Sequence, residues 1–167
     1  YDVSGPSAVN VRPAAMADAR DIHALRVMAG VFENILSLQS ERLEDVEDFL
    51  RGMRDPLLAA EVEGHVVGLA GLEGSKPARQ RHVGTIGIMV HRDYQGRGIG
   101  RSLLSALLDI ADRWLMLKRV QLNVFTDNQR AIGLYRSLGF VVEGTERFAA
   151  IRDGRYADEY LMARYRE

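Results

Sequence analysis

The chain has 167 residues, a formal net charge of -1 and no cysteine. That length supports one domain with a real core. The near-zero charge gives no global field toward nucleic acid or an anionic membrane, and the missing thiols exclude disulfides, a cysteine nucleophile and a thiolate metal site.

Four scattered histidines without ligand spacing argue against a metal centre. There is no signal peptide and no apolar run long enough to span a bilayer, so the expected location is the cytoplasm. Tyr1-Asp2-Val3-Ser4-Gly5-Pro6-Ser7 has no initiator Met and reads as a flexible leader over residues 1–8, ahead of one domain over 9–167.

Val9 to Pro13 alternates and predicts a short strand. Ala17-Asp18 opens a helix through Ile22, Leu25 and Val27 to about Gly30. Residues 31–40 are irregular, and a second helix carries Leu43, Val46, Phe49, Leu50 and Met53 on one core face. Leu57 to Val62 and His65 to Leu72 predict a hairpin turning at Glu63-Gly64. Gly74 to Arg81 is a polar, basic loop before a strand at His82 to Val90.

His91 to Arg101 then separates that strand from a long helical pattern: Leu103, Leu104, Leu107, Leu108, Ile110, Ala111, Trp114 and Leu115. Arg119 to Phe125 is another strand, and Asp127 caps a helix that Gly139 ends. A last hairpin runs from Phe140 to Ile151 and Tyr156 to Tyr165, turning at Asp153-Gly154. The order β-α-α-β-β-β-α-β-α-β-β predicts a mixed sheet with helices on both faces, in the α/β or α+β class.

The chemistry concentrates at Gln95-Gly96-Arg97-Gly98-Ile99-Gly100-Arg101. These glycines fall where a strand ends and a helix begins, so backbone N–H groups and the positive end of the helix dipole are open to an anion. A P-loop is excluded because the required GK pair is missing, and a dinucleotide fingerprint because the spacing is GxGxG. Downstream, Asn128, Ala131 and Tyr135 fall on one helical face: an amide, a small residue and a phenol.

Gln95-x-x-Gly98-x-Gly100 resembles the acyl-CoA pyrophosphate loop of the GNAT superfamily of N-acetyltransferases, Gln/Arg-x-x-Gly-x-Gly/Ala. Asp127-Asn128-x-x-Ala131-Ile132-x-Leu134-Tyr135-x-x-x-Gly139-Phe140 is similar to the family's later helix. The likeness runs from Val11-Arg12-Pro13-Ala14 to Asp158-x-x-x-Met162. It implies a single-domain acyl-CoA N-acyltransferase fold: a mostly antiparallel mixed sheet of about seven strands. It also implies acetyl-CoA as co-substrate, no metal, and direct attack of an amine on the thioester.

By the same resemblance, Tyr135 protonates the leaving thiolate, and the N–H of Met89 or Val90 holds the oxyanion. The cofactor would meet Ile88, Met89, Val90, Gln95, Gly96, Arg97, Gly98, Ile99, Gly100, Arg101, Asn128, Ala131 and Tyr135. The family's carboxylate on the strand before the loop falls at Thr85, which is no ordinary base. Water held by Thr85, His82 and backbone carbonyls, Glu33, or Asp158 with Glu159 are the open alternatives.

Within the superfamily the chain is similar to bacterial enzymes that acetylate amino acids, phosphinothricin or methionine sulfoximine. The residues carrying this are Val31-Phe32-Glu33-Asn34, Phe125-Thr126-Asp127-Asn128 and Arg152-Asp153-Gly154-x-Tyr156-x-Asp158. The implied acceptor is a small amino-acid-like amine meeting Phe32, Glu33, Asn34, Thr85 and Asp158, with Arg152, Arg147 or Arg79 for its carboxylate. Two other readings are a protein N-terminal or lysine acetyltransferase, and a non-catalytic acyl-CoA-binding module. The resemblance also implies a homodimer, while the near-zero charge leads us to expect no nucleic-acid or membrane partner.

Overall fold

The computed structural model describes residues 8–167, so the leader expected at 1–8 lies, except for Ala8, outside the described residues. The elements are β1 (Asn10–Pro13), α1 (Ala19–Arg26), α2 (Leu43–Gly52), β2 (Leu57–Val62), β3 (His65–Gly74), β4 (Val83–Val90), α3 (Ile99–Asp109), β5 (Arg119–Phe125), α4 (Gln129–Ser137), β6 (Val141–Arg152) and β7 (Arg155–Tyr165). They form one seven-stranded sheet in the order β1-β2-β3-β4-β5-β7-β6.

Both predicted hairpin turns form. Glu63 and Gly64 have φ of 50° and 81°, and Asp153 and Gly154 have 50° and 72°. Positive φ at both central residues matches the twist of the flanking strands. The one parallel pair is β4–β5, joined across the sheet by α3.

The sheet is covered on both faces. On one, Ile22 and Leu25 of α1 and Val46 of α2 pack on Ala59, Val66, Leu69 and Met89. On the other, Leu103, Leu104 and Leu107 of α3 and Ile132 of α4 pack on Leu72, Ile86, Leu122 and Met162. Successive β4 residues alternate between these cores, as a pleated strand requires. Gly68 lets α3 settle closely, since a Cβ there would lie 3.0 Å from Leu103 Cδ1 and 3.1 Å from Ile99 Cγ2.

Two apolar patterns end differently from the expectation. Phe49 is 45 % exposed, on the α2 side that faces a cavity and not the core. The pattern of α3 was expected to run on through Trp114 and Leu115, but Ile110–Trp114 widens into a π turn. The extra residue in that turn rotates the helical face, leaving Trp114 73 % exposed. Asp112 in the turn accepts from both terminal nitrogens of Arg164 on β7, at 2.9 and 2.8 Å. Among the described residues, no helix is long and apolar enough to cross a membrane.

The feature that positions the site is a parting of strands. β4 and β5 pair only at Val83–Arg119, Gly84–Val120 and Thr85–Gln121. Beyond Thr85 they diverge. Ile86 to Val90 keep β3 on one side, Leu122 to Phe125 keep β7 on the other, and backbone edges face each other across the gap.

Candidate active site

A cavity of about 1160 Å³ fills this parting and is lined from both faces of the sheet. Its α3/α4 half is bounded by Ile88, Val90, the glycine loop and the face of α4. Its α1/α2 half is bounded by Val31, Asn34, Ile35, Phe49 and Met53.

The loop is built to expose backbone. His91 Nδ1 accepts from Asp93 N at 3.1 Å and starts a single 3₁₀ turn over Arg92–Tyr94. The chain then needs left-handed backbone at Gly96 and Gly98, with φ of 75° and 84°. Gly98 caps α3, and its carbonyl accepts from Ser102 N at 3.0 Å and Ser102 Oγ at 3.1 Å. The N–H groups of Ile99, Gly100 and Arg101 occupy the first helical turn, so they have no helical acceptor and lie at the positive end of the dipole. At Gly100 a Cβ would stand 3.1 Å from Leu134 Cδ2, so glycine permits α4 to approach the loop.

Gln95 ties the loop down. Its Nε2 donates to the Val90 carbonyl at 3.0 Å and the Gly30 carbonyl at 3.4 Å, and its Oε1 accepts from Arg130 at 3.2 Å. The expected donor-side residues Ile88, Met89, Val90, Gln95, Gly96, Gly98, Gly100, Arg101, Asn128, Ala131 and Tyr135 all line the cavity. Arg97 and Ile99 do not. The Arg97 guanidinium sits over the Tyr94 ring at 5.2 Å, and Ile99 is 2 % exposed in the core. Arg101 lines the cavity while donating to Ser137 Oγ at 2.8 Å. Arg130 on α4 also lines it, a cation that sequence reading missed.

Asn128, not Asp127, caps α4: its Oδ1 accepts from Ala131 N at 3.3 Å. Asp127 instead pairs with Arg152, whose guanidinium stacks 4.5 Å from the Phe125 ring centroid. Tyr135 is 6 % exposed, and its hydroxyl has no partner among the described residues. Burial pushes its pKa up to about 12, so the phenol remains a proton donor across the physiological range.

The acceptor-side expectations divide. Asn34 and Thr85 line the cavity, with Thr85 Oγ1 accepting from Gln121 at 3.5 Å. Phe32 and Glu33 do not, because the 3₁₀ turn over Phe32–Asn34 presents Asn34 inward. Glu33 Oε2 instead accepts from Gly30 N at 2.8 Å. Asp158 is also absent from the cavity wall: its Oδ1 accepts from Phe148 N at 2.9 Å, and Arg147 lies 3.5 Å away. Neighbouring strand residues face opposite ways, so it is Glu159 that lines the cavity.

Arg152, Arg147 and Arg79, weighed for a substrate carboxylate, do not line the cavity either. Arg54 and Lys76 do, and among the described residues neither has an ion-pair partner. His82 borders an adjoining recess of about 780 Å³, lined also by Arg119 and Gln121, that meets the main cavity at Glu73, Lys76 and Thr85. Among the described residues, no group of three or more His, Cys, Asp or Glu side chains is arranged to hold a metal ion.

The acetyltransferase (GNAT) family profile matches residues 23–140. The chain is 33 % identical over 165 residues to the L-amino acid N-acetyltransferase AaaT of Escherichia coli (strain K12), covering 95 % of this chain and 98 % of that one. It is 46 % identical over 103 residues to the N-alpha-acetyltransferase RimI of Mycobacterium tuberculosis (strain ATCC 25618 / H37Rv), 60 % of each chain. Its fold superposes with a TM-score of 0.80 on yncA from Salmonella typhimurium, solved with its cofactor acetyl-CoA, at 26 % identity over 95 % of this chain and 94 % of that one.

Proposed function

The chain belongs to the acetyltransferase (GNAT) family and is an acetyl-CoA-dependent N-acetyltransferase acting on an amine, and we propose that its acceptor is a small amino-acid-like molecule acetylated on its primary amine. Acetyl-CoA supplies the acetyl group already activated as a thioester. The loop fits its phosphates: the N–H groups at the start of α3 converge on an anion, with Arg101 and Arg130 beside them. The unpaired edge of β4 suits the amide-bearing arm of the cofactor, which can bond to it like an added strand.

The single observation that carries the mechanism is the Tyr135 hydroxyl: buried, neutral, without a partner among the described residues and open to the cavity. In this reading Tyr135 gives its proton to the departing thiolate, and the N–H of Met89 or Val90 holds the carbonyl oxygen as negative charge develops. The acceptor enters from the α1/α2 half, past Asn34 and Thr85. Its carboxylate meets Arg54 or Lys76, the cations on that wall without an ion-pair partner among the described residues.

The relative named as an L-amino acid N-acetyltransferase matches nearly the full length of both chains, which favours a free amino acid. The RimI match favours a polypeptide N-terminus but spans only 60 % of this chain. The deciding experiment follows thiol release from acetyl-CoA across a panel of L-amino acids, with products identified by mass spectrometry. Acetylated amino acids support the proposal. Acetylated peptides with inert amino acids shift it to a polypeptide acceptor, and acetyl-CoA binding without turnover on any amine leaves a binding module.

The chain also works as a homodimer in this reading. The β6–β7 hairpin carries exposed Val141, Phe148, Ile151 and Tyr156 on the sheet edge, the kind of apolar surface a second copy covers.

A further inference from the structure

We propose that Glu159 is the group that receives the ammonium of the acceptor and takes its proton; this rests on the acetyltransferase reading of the same cavity. Glu159 is 8 % exposed, yet among the described residues it has no hydrogen-bond or ion-pair partner. A largely buried carboxylate with no partner of its own calls for a reason.

The reason lies in where the side chain ends. Among the described residues, no buried side-chain oxygen or nitrogen is sealed off without a partner. The Glu159 oxygens therefore open onto the cavity that the residue lines. Glu159 stands on β7 directly across from Phe125, on the β5 side of the strand parting. A carboxylate only accepts hydrogen bonds, so its missing partner is a donor, and a cationic donor best offsets the desolvation. A primary ammonium is such a donor, and it must lose a proton before its nitrogen can attack.

The other acids on this wall are differently placed. Asp48 is bound to Arg51 at 2.7 Å, Asp55 is only part-buried just ahead of β2, and Glu73 is exposed on β3 opposite Thr85, so Glu159 is the one buried acid of the four. Arg101 and Arg130 thus stand at the donor end, and the acceptor half holds Arg54 and Lys76 together with one buried carboxylate, Glu159. In the step this implies, Glu159 takes one proton from the ammonium. The freed nitrogen lone pair forms the bond to the acetyl carbon, the carbon–sulfur bond breaks, and the sulfur leaves with the electron pair. Tyr135 protonates that sulfur. The second ammonium proton passes to water, Glu159 then gives the first to water as well, and water restores the Tyr135 proton, so one proton is released in all.

The test compares wild type with the near-isosteric Glu159→Gln and with Glu159→Asp. Thiol release from acetyl-CoA is followed with a panel of L-amino acids and short primary alkylamines, and acetyl-CoA affinity is measured by calorimetry. The expected result is a loss of about a hundredfold or more in kcat/KM for the amine in Glu159→Gln. The acid limb of its pH profile disappears, and the acetyl-CoA Kd stays within about twofold of wild type. Glu159→Asp recovers part of the activity and the acid limb.

Glu159→Gln activity within about threefold of wild type, with an unchanged pH profile, overturns the role of Glu159 and leaves the acetyltransferase reading intact. Loss of acetyl-CoA affinity in step with turnover makes Glu159 structural and also overturns it. A wild type inert toward every amine, while binding acetyl-CoA, overturns the acceptor reading and this role together.

Discussion

The side-chain amide of Gln95 donates to the carbonyl oxygen of Val90 at 3.0 Å, tying the start of the glycine loop to the end of β4. The same amide accepts from Arg130 at 3.2 Å, so one side chain sets the distance between β4, the loop and α4. Replacing Gln95 with Ala removes this clamp without touching Tyr135. Acetyl-CoA Kd by calorimetry is expected to weaken by about tenfold, the scale of one or two net hydrogen bonds. Turnover at saturating acetyl-CoA should stay within about twofold.

Tyr135→Phe keeps the ring against Phe140, 6.0 Å between centroids, and removes only the hydroxyl. Steady-state assays should show kcat down about a hundredfold with acetyl-CoA affinity unchanged. The same residue leaves a mark on stability. Its pKa rises from 10.0 to about 12 on burial, so between those pH values the unfolded chain holds fewer protons than the folded one. Folding stability from this group is complete below pH about 10 and falls as pH rises toward 12, by about 2–3 kcal/mol in all. Urea titrations at alkaline pH should show this decline in wild type and its absence in Tyr135→Phe.

Gly98 and Gly100 are glycines for different reasons, and substitution separates them. A Cβ on Gly98 meets nothing within 4 Å, but φ is 84°. Gly98→Ala should therefore lower stability by about 1–2 kcal/mol through backbone strain, and Gly98→Asn by less. At Gly100 a Cβ meets Leu134 Cδ2 at 3.1 Å. Gly100→Val should push α4 from the loop and weaken acetyl-CoA binding more than it lowers Tm. Chemical denaturation and calorimetry on the three variants read both effects.

How much of this was legible in the sequence follows from the physics of each position. The loop was legible because left-handed backbone and a close helix contact both select glycine. The face of Asn128, Ala131 and Tyr135 was legible because helical periodicity is rigid. Asp158 and Glu159 were not separable. Their facing depends on the β6–β7 register, which slips between Val142 and Gly144 and again between Glu146 and Ala150. No spacing rule announces those irregularities. Phe49 and Trp114 fit an apolar helical stripe, but the stripe does not reveal that one borders a cavity and the other follows a π turn. Arg54 and Lys76 lie at element ends, where tertiary approach alone decides what a side chain meets.

Arg12 joins the outer strands to the start of α1. It donates to both Asp18 oxygens at 2.8 Å and to Glu61 at 2.7 Å. Asp18 is 7 % exposed, and the Arg12 hydrogen bonds hold its carboxyl below the usual carboxylate range. The stability this supplies is complete above the ordinary Asp pKa of about 3.9 and is lost as pH falls through the depressed value. Arg12→Ala should cost about 3 kcal/mol at neutral pH by stranding a buried charge, and it should flatten the acid limb of stability. Denaturant titrations between neutral and acid pH check both.

The three-residue seam between β4 and β5 also governs how the molecule breathes. Past Thr85, nothing in the sheet ladder joins the leaf of β1–β4 to the leaf of β5–β7. In the free protein, amide exchange should resolve the two leaves as separate cooperative units, with the inner edges of β4 and β5 among the quickest strand amides to exchange. Saturating acetyl-CoA should slow exchange along β4 and merge the two units into one. Occupancy of the cavity would then set the mechanical unity of the whole domain.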